Sequence, residues 1–217
     1  MSKVTFLVDG CERVGYLAVP EAGKGHGVLL LHAWWGLTEF FQSVCAQFAA
    51  QGYVCFAPDL HHGKIATNPE EAMRILETRD FPATQATAEA ALKFLQTYSA
   101  VQGEKLATVG FSMGASFALL LDSLSPDSFS KIVLFYGGSG ADLSQSKSRF
   151  QCHYGEADEW EPIEEVRGMN AANAEIYTYP GAVHWFCESD RPDHYDGQAA
   201  ALAWERTFAF LKMPDNY

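Results

Sequence analysis

Positive charge is scarce in this sequence. Lys and Arg total 15 against 27 Asp and Glu, leaving a formal charge of −12. Such a field opposes nucleic acid and anionic lipid surfaces, so neither is an expected partner. Long apolar runs are missing too. No stretch approaches the roughly 18 residues that a membrane-spanning helix needs, and Met1-Ser2-Lys3-Val4-Thr5 has no charged-then-apolar leader pattern. Cysteine pairing is absent as a pattern. Cys11, Cys45, Cys55, Cys152 and Cys187 are odd in number, scattered and free of any Cys-x-x-Cys, which fits a reducing compartment. A cytoplasmic location is the expectation. There is no internal repeat, low-complexity tract or linker. His61-His62 has no third ligand at fitting spacing, so neither a metal nor another cofactor is expected.

What the chain does have is material for a core. Its 217 residues are 48% hydrophobic and 13% aromatic, which excludes disorder and suits one domain spanning 1–217. Apolar stretches at 4–8 and 14–19 flank Asp9-Gly10-Cys11-Glu12-Arg13 and read as a hairpin. An apolar run at 28–32 reads as a central strand. Thr38 can cap a helix with Phe41, Val44, Cys45 and Phe48 on one face, closed by Gly52. Strands follow at 53–57, 106–109, 132–136, 150–154 and 175–179. Helices are expected at 69–78, over the Ala86-Ala90-Phe94-Tyr98 face, after Gly114, at 162–172 and at 198–211. After the hairpin, strands alternate with helices. That pattern predicts an α/β fold of about eight mostly parallel strands with helices on both faces and no large cap domain.

One stretch carries chemistry. Residues 106–109 run into Gly110-Phe111-Ser112-Met113-Gly114, and a helical pattern follows at once. A serine bracketed by glycines between strand and helix sits on a tight, strained turn, beside the free N–H groups of the helix start. Acyl chemistry requires a nucleophile in such a place. A serine also needs a base, and the base needs an acid to orient it. Ligand sites of open α/β sheets lie at strand C-terminal ends. There the chain offers Asp158 in Gly155-Glu156-Ala157-Asp158, with Glu156 as rival, and His184 in the loop after the last strand. Met113 N–H, next after Ser112, is one expected oxyanion donor. The other is expected from the loop after residues 28–32, at Trp34. Trp35, Tyr136, Trp185 and Phe186 fall in or beside loops at the same sheet edge and are candidate substrate-binding residues.

The blocks His32-Ala33-Trp34-Trp35-Gly36-Leu37, Pro58-Asp59-Leu60, Gly110-Phe111-Ser112-Met113-Gly114, Gly155-Glu156-Ala157-Asp158 and Gly181-Ala182-Val183-His184-Trp185-Phe186, with the closing helix, resemble the dienelactone hydrolase family. The resemblance spans nearly the whole chain. It implies a metal-free esterase or lactonase that works through an acyl-enzyme. It implies Ser112 as nucleophile, Asp158 as acid, His184 as base, and Met113 and Trp34 as oxyanion donors. Three positions depart from the family pattern. Ser112 stands where its best-known members have cysteine. Ala33 stands where they have a glutamate that helps activate the thiol. Glu188 stands where they have an arginine that grips a substrate carboxylate. A serine activated by histidine needs no such glutamate. The expectation is therefore a serine esterase for a neutral, modest-sized ester or lactone. A thioesterase or acyltransferase on the same residues, and a non-catalytic ligand-binding homologue, remain alternatives. Oligomeric state is not legible.

Overall fold

The computed structural model describes residues 2–169 and 171–214. Eight strands form a sheet in the order β1-β2-β4-β3-β5-β6-β7-β8. They are β1 (Ser2–Val8), β2 (Cys11–Ala18), β3 (Gly25–Leu31), β4 (Val54–Pro58), β5 (Val101–Phe111), β6 (Phe129–Phe135), β7 (Arg149–Gly155) and β8 (Ala174–Tyr179). The helices are α1 (Glu39–Ala50), α2 (Pro69–Glu77), α3 (Phe81–Thr97), α4 (Met113–Leu124), α5 (Ile163–Gly168) and α6 (Gly197–Lys212). The β1–β2 and β2–β4 pairs are antiparallel, while β3–β4, β6–β7 and β7–β8 are parallel. Every residue of β4 is buried, as are all but one of β7. Successive strand residues point to opposite faces, so such strands must be covered on both. The residues group into two compact units, Met1–Val109 and Gly110–Tyr217.

In the first unit the hairpin turn falls on Asp9 and Gly10, both at positive φ, as a two-residue turn with the right-handed strand twist demands. Helix α1 packs on β4, β2 and β3, and α3 packs on β1, β4 and β3. Phe56 of β4 anchors the α3 contact, with its ring 4.6 Å from Phe94 and 5.3 Å from Phe6. In the second unit α4 packs on β6, and α5 and α6 pack on β7. There Phe111 and Phe135 stack at 4.6 Å, and Trp204 of α6 lies 5.2 Å from Phe135.

Two local expectations need correction, at strand β5 and helix α5. Helix α2 ends at Glu77, and α3 begins at Phe81 with Asp80 as its N-cap, accepting from the Ala83 N–H, and Pro82 in the first turn. Proline's missing N–H costs nothing in that turn. Strand β5 starts at Val101 because Gln102, Gly103 and Glu104 pair although exposed; polar residues in an exposed strand leave no hydrophobic signature. Helix α5 ends at Gly168, short of the expected 162–172, and Asn170 within that span lies outside the described residues. Thr38 is the N-cap of α1 but makes no side-chain capping bond. Among the described residues, no helix is long and apolar enough to cross a membrane.

Candidate active site

Strand β5 and helix α4 meet at Ser112, which adopts φ 50 and ψ −113. A side chain rarely tolerates this backbone, and the strain costs on the order of 1–3 kcal/mol. The turn is held from outside: the Ser112 N–H donates to the Phe135 carbonyl at the end of β6, at 2.9 Å. Gly110 makes the tightness possible. A Cβ on it would lie 2.5 Å from the Gly114 carbonyl oxygen and 2.6 Å from the Ala115 Cα, and backbone cannot yield as a side chain can. We expect Gly110→Ala to cost about 3 kcal/mol, lowering Tm by roughly 6–12 °C. Thermal denaturation checks this, and a shift below about 2 °C contradicts it.

The second unit brings Ser112, His184 and Asp158 into one hydrogen-bonded chain. Ser112 Oγ lies 2.9 Å from His184 Nε2, and His184 Nδ1 lies 2.7 Å from Asp158 Oδ2. The His184 and Asp158 side chains are 5% and 0% exposed, so little water competes for these bonds. Asp158 is fixed from behind: its Oδ1 accepts from the Trp160 and Glu161 N–H groups at 2.8 and 3.0 Å. Three fixed bonds leave the carboxylate one orientation. The rival Glu156 instead accepts from the Thr178 hydroxyl at 2.8 Å. The loop carrying His184 closes over Gly155, where any Cβ would collide with the Ala182 carbonyl. Trp185, just past the histidine, sits at φ 65.

Beneath His184 lie three of the aromatic candidates. Tyr136 follows β6 at φ 38, with its ring 5.1 Å from that of His184 and 5.5 Å from that of Phe186. Tyr136 and Phe186 are fully buried. Trp185 meets the His184 ring edge-on at 4.7 Å. The Tyr136 hydroxyl donates to Glu188 Oε1 at 2.9 Å, while Glu188 Oε2 is buried without a hydrogen-bond partner among the described residues. Burial foremost, and Asp190 nearby, push the Glu188 carboxyl well above its ordinary range. Burial thus disfavours its charged form in the packing under the histidine.

In the first unit, Trp34 lies in the turn after β3 and is 4% exposed; Trp35 is 2% exposed. Trp34 is held by residues that sequence reasoning passed over. His61 Nε2 donates to the Trp34 carbonyl at 2.9 Å. His32 Nε2 accepts from the Leu60 N–H, which leaves Nδ1–H to donate to the Ala33 carbonyl at 2.7 Å. Asp59 accepts from the His61 and Gly63 N–H groups. Burial lowers His32 to about 4 and His61 to about 3, so both serve as neutral hydrogen-bonding struts. The available signal was that His32 opens one quoted sequence block and His61 directly follows another, Pro58-Asp59-Leu60. Burial raises the Cys55 and Cys187 thiols, which removes thiolate character from both. Among the described residues no cluster of His, Cys, Asp or Glu could hold a metal.

A cavity of about 250 Å³ opens against His184, lined by Glu159, Trp160, Trp185, Asp193 and His194 among others. Of the aromatic candidates, Trp185 lines it. Trp160, Asp193 and His194 were not anticipated, because only the fold of the two loops brings them together.

Comparison with known proteins bears on this arrangement. The family model described as the dienelactone hydrolase family matches residues 14–214. A protein called Usf from Aquifex pyrophilus is 31% identical, with 96% of each chain covered. Carboxymethylenebutenolidase of Rhodococcus opacus is 26% identical over 94% of this chain and 87% of its own. A dienelactone hydrolase-like promiscuous phosphotriesterase from metagenomic libraries superposes with a TM-score of 0.80 at 21% identity, covering 96% of this chain and 95% of its own. At that identity the match speaks for the fold alone.

Proposed function

The chain belongs to the dienelactone hydrolase family, and from that premise we propose that it is a serine hydrolase cleaving carboxylic esters or lactones through an acyl-enzyme. In this reading the whole chain, 1–217, acts as one catalytic domain on a small-molecule ester or lactone. The observation that carries it is the relay of Ser112 Oγ, His184 Nε2, His184 Nδ1 and Asp158 Oδ2, with links of 2.9 and 2.7 Å, the second of them buried. A hydroxyl at hydrogen-bond distance from an oriented imidazole can lose its proton as it attacks.

Ser112 Oγ attacks the carbonyl carbon while His184 Nε2 accepts its proton. The ionised Asp158 stabilises the resulting imidazolium through Nδ1–H. The tetrahedral oxyanion is held by the Met113 N–H, at the start of α4, where first-turn donors have no partner within the helix. The second donor in this reading is the Trp34 N–H, which rests on the family resemblance and on its place in the loop after β3. One such donor is typically worth roughly 10²–10³ in kcat. Collapse expels the alkoxide, which takes the proton from His184. A water molecule, deprotonated by His184, then attacks the acyl-enzyme. The acid departs and Ser112 Oγ regains its proton.

A fluorophosphonate probe tests this reading. Mass spectrometry is expected to find a single covalent adduct on Ser112, formed with loss of p-nitrophenyl acetate hydrolysis. Absence of labelling, or labelling elsewhere with activity retained, overturns it.

A further inference from the structure

The cavity beside His184 has a wall unlike that of a pocket for an anionic or plainly apolar acyl group. Glu159 and Asp193 supply two carboxylates, Trp160 and Trp185 supply two indoles, and no Lys or Arg is among the lining residues. The indole rings stand 6.1 Å apart at 52°. Trp160 is 52% exposed, whereas Trp185 is 4% exposed and packs edge-on against His184. The ring of His194, another lining residue, lies 4.9 Å from that of Trp185. A tryptophan face attracts a cation, most strongly where water is partly excluded, and carboxylates at the rim add Coulomb attraction.

One observation away from the cavity points the same way. The molecule as a whole carries −12, a field that concentrates cations and repels anions.

We propose that the cavity lined by Trp160, Trp185, Glu159 and Asp193 is a cation subsite, so the preferred substrates are esters bearing an ammonium group close to the scissile bond. The proposal rests on the serine-hydrolase reading above. In this reading the ammonium sits against the cavity wall and the ester carbonyl lies towards Ser112, whose Oγ is 2.9 Å from Nε2 of the lining residue His184. No new chemical step is needed, because the subsite acts only on which ester is captured.

The test compares kcat/KM for butyrylcholine and for its neutral isostere, 3,3-dimethylbutyl butyrate, by pH-stat titration. The cationic ester is expected to be favoured by roughly 5- to 30-fold at low salt. The ratio should fall towards one in Trp160→Leu, in the Glu159→Gln, Asp193→Asn double variant, and, for its rim-charge part, in high salt. A variant that merely damages the fold lowers both rates and leaves the ratio, so the ratio is the readout. A wild-type ratio at or below one overturns the proposal. So does a ratio unmoved by both variants, or failure to cleave either ester while p-nitrophenyl acetate is hydrolysed. Absence of hydrolysis of p-nitrophenyl acetate itself, with no labelling of Ser112, strikes instead at the serine-hydrolase reading.

Discussion

Ser112→Ala is expected to lower kcat on p-nitrophenyl acetate by about 10⁴–10⁶ while the protein stays folded. The hydroxyl is the only atom of the proposed relay that bonds to the substrate, and its loss leaves only positioning and oxyanion stabilisation. The backbone should not notice. Ser112 keeps φ 50 because the Phe135 carbonyl and the close Gly110–Gly114 approach hold it there, and alanine meets the same constraint. Ser112→Gly separates strain from chemistry. It should be equally inactive yet more stable by about 1 kcal/mol, since glycine adopts positive φ without penalty. Circular dichroism melts beside burst-phase kinetics measure both. Turnover in the alanine variant within tenfold of wild type refutes the nucleophile assignment.

Asp158→Asn is expected to cost on the order of 10⁴ in kcat with little change in KM. The reason lies in how the carboxylate is held. Oδ1 accepts from the Trp160 and Glu161 N–H groups, and Oδ2 faces His184 Nδ1. An asparagine keeps its carbonyl oxygen on the two N–H donors, because its amide group would clash with them. The NH₂ then faces Nδ1 and donates to it. That drives the ring proton to Nε2, where it points at Ser112 and can no longer receive the hydroxyl proton. Substitution to alanine should be less clear-cut, since it also frees the two backbone donors. A loss under about tenfold in the asparagine variant would point to another acid, Glu156 being the nearest rival in sequence.

The tryptophan and histidine loops show how far sequence carries such a site. The order of strands and helices was legible because apolar periodicity is local: 28–32 and 150–154 read as strands from their own residues. The elbow was legible because glycines two residues to either side of a serine, between a strand and a helix, have few other uses. The ends of elements were less so. The strand read at 106–109 begins at Val101, a start hidden because the exposed Gln102, Gly103 and Glu104 carry no apolar pattern. Within the acid loop, Asp158 and Glu156 are two residues apart and chemically alike. Their partners, His184 and Thr178, lie 26 and 22 positions downstream, so their separation is a long-range fact.

What the sequence determined alone is therefore the α/β succession, the strained serine turn and the chemical kinds of its partners, each encoded in a few neighbouring residues. What only the tertiary structure decided is direction. It turned Asp158 towards His184, buried Glu188 against Tyr136, set His32 and His61 as struts for the Trp34 turn, and gathered Trp160, Trp185, Glu159 and Asp193 around one cavity. Loop side chains take their direction from contacts with residues far away in the chain, and no local pattern records those contacts.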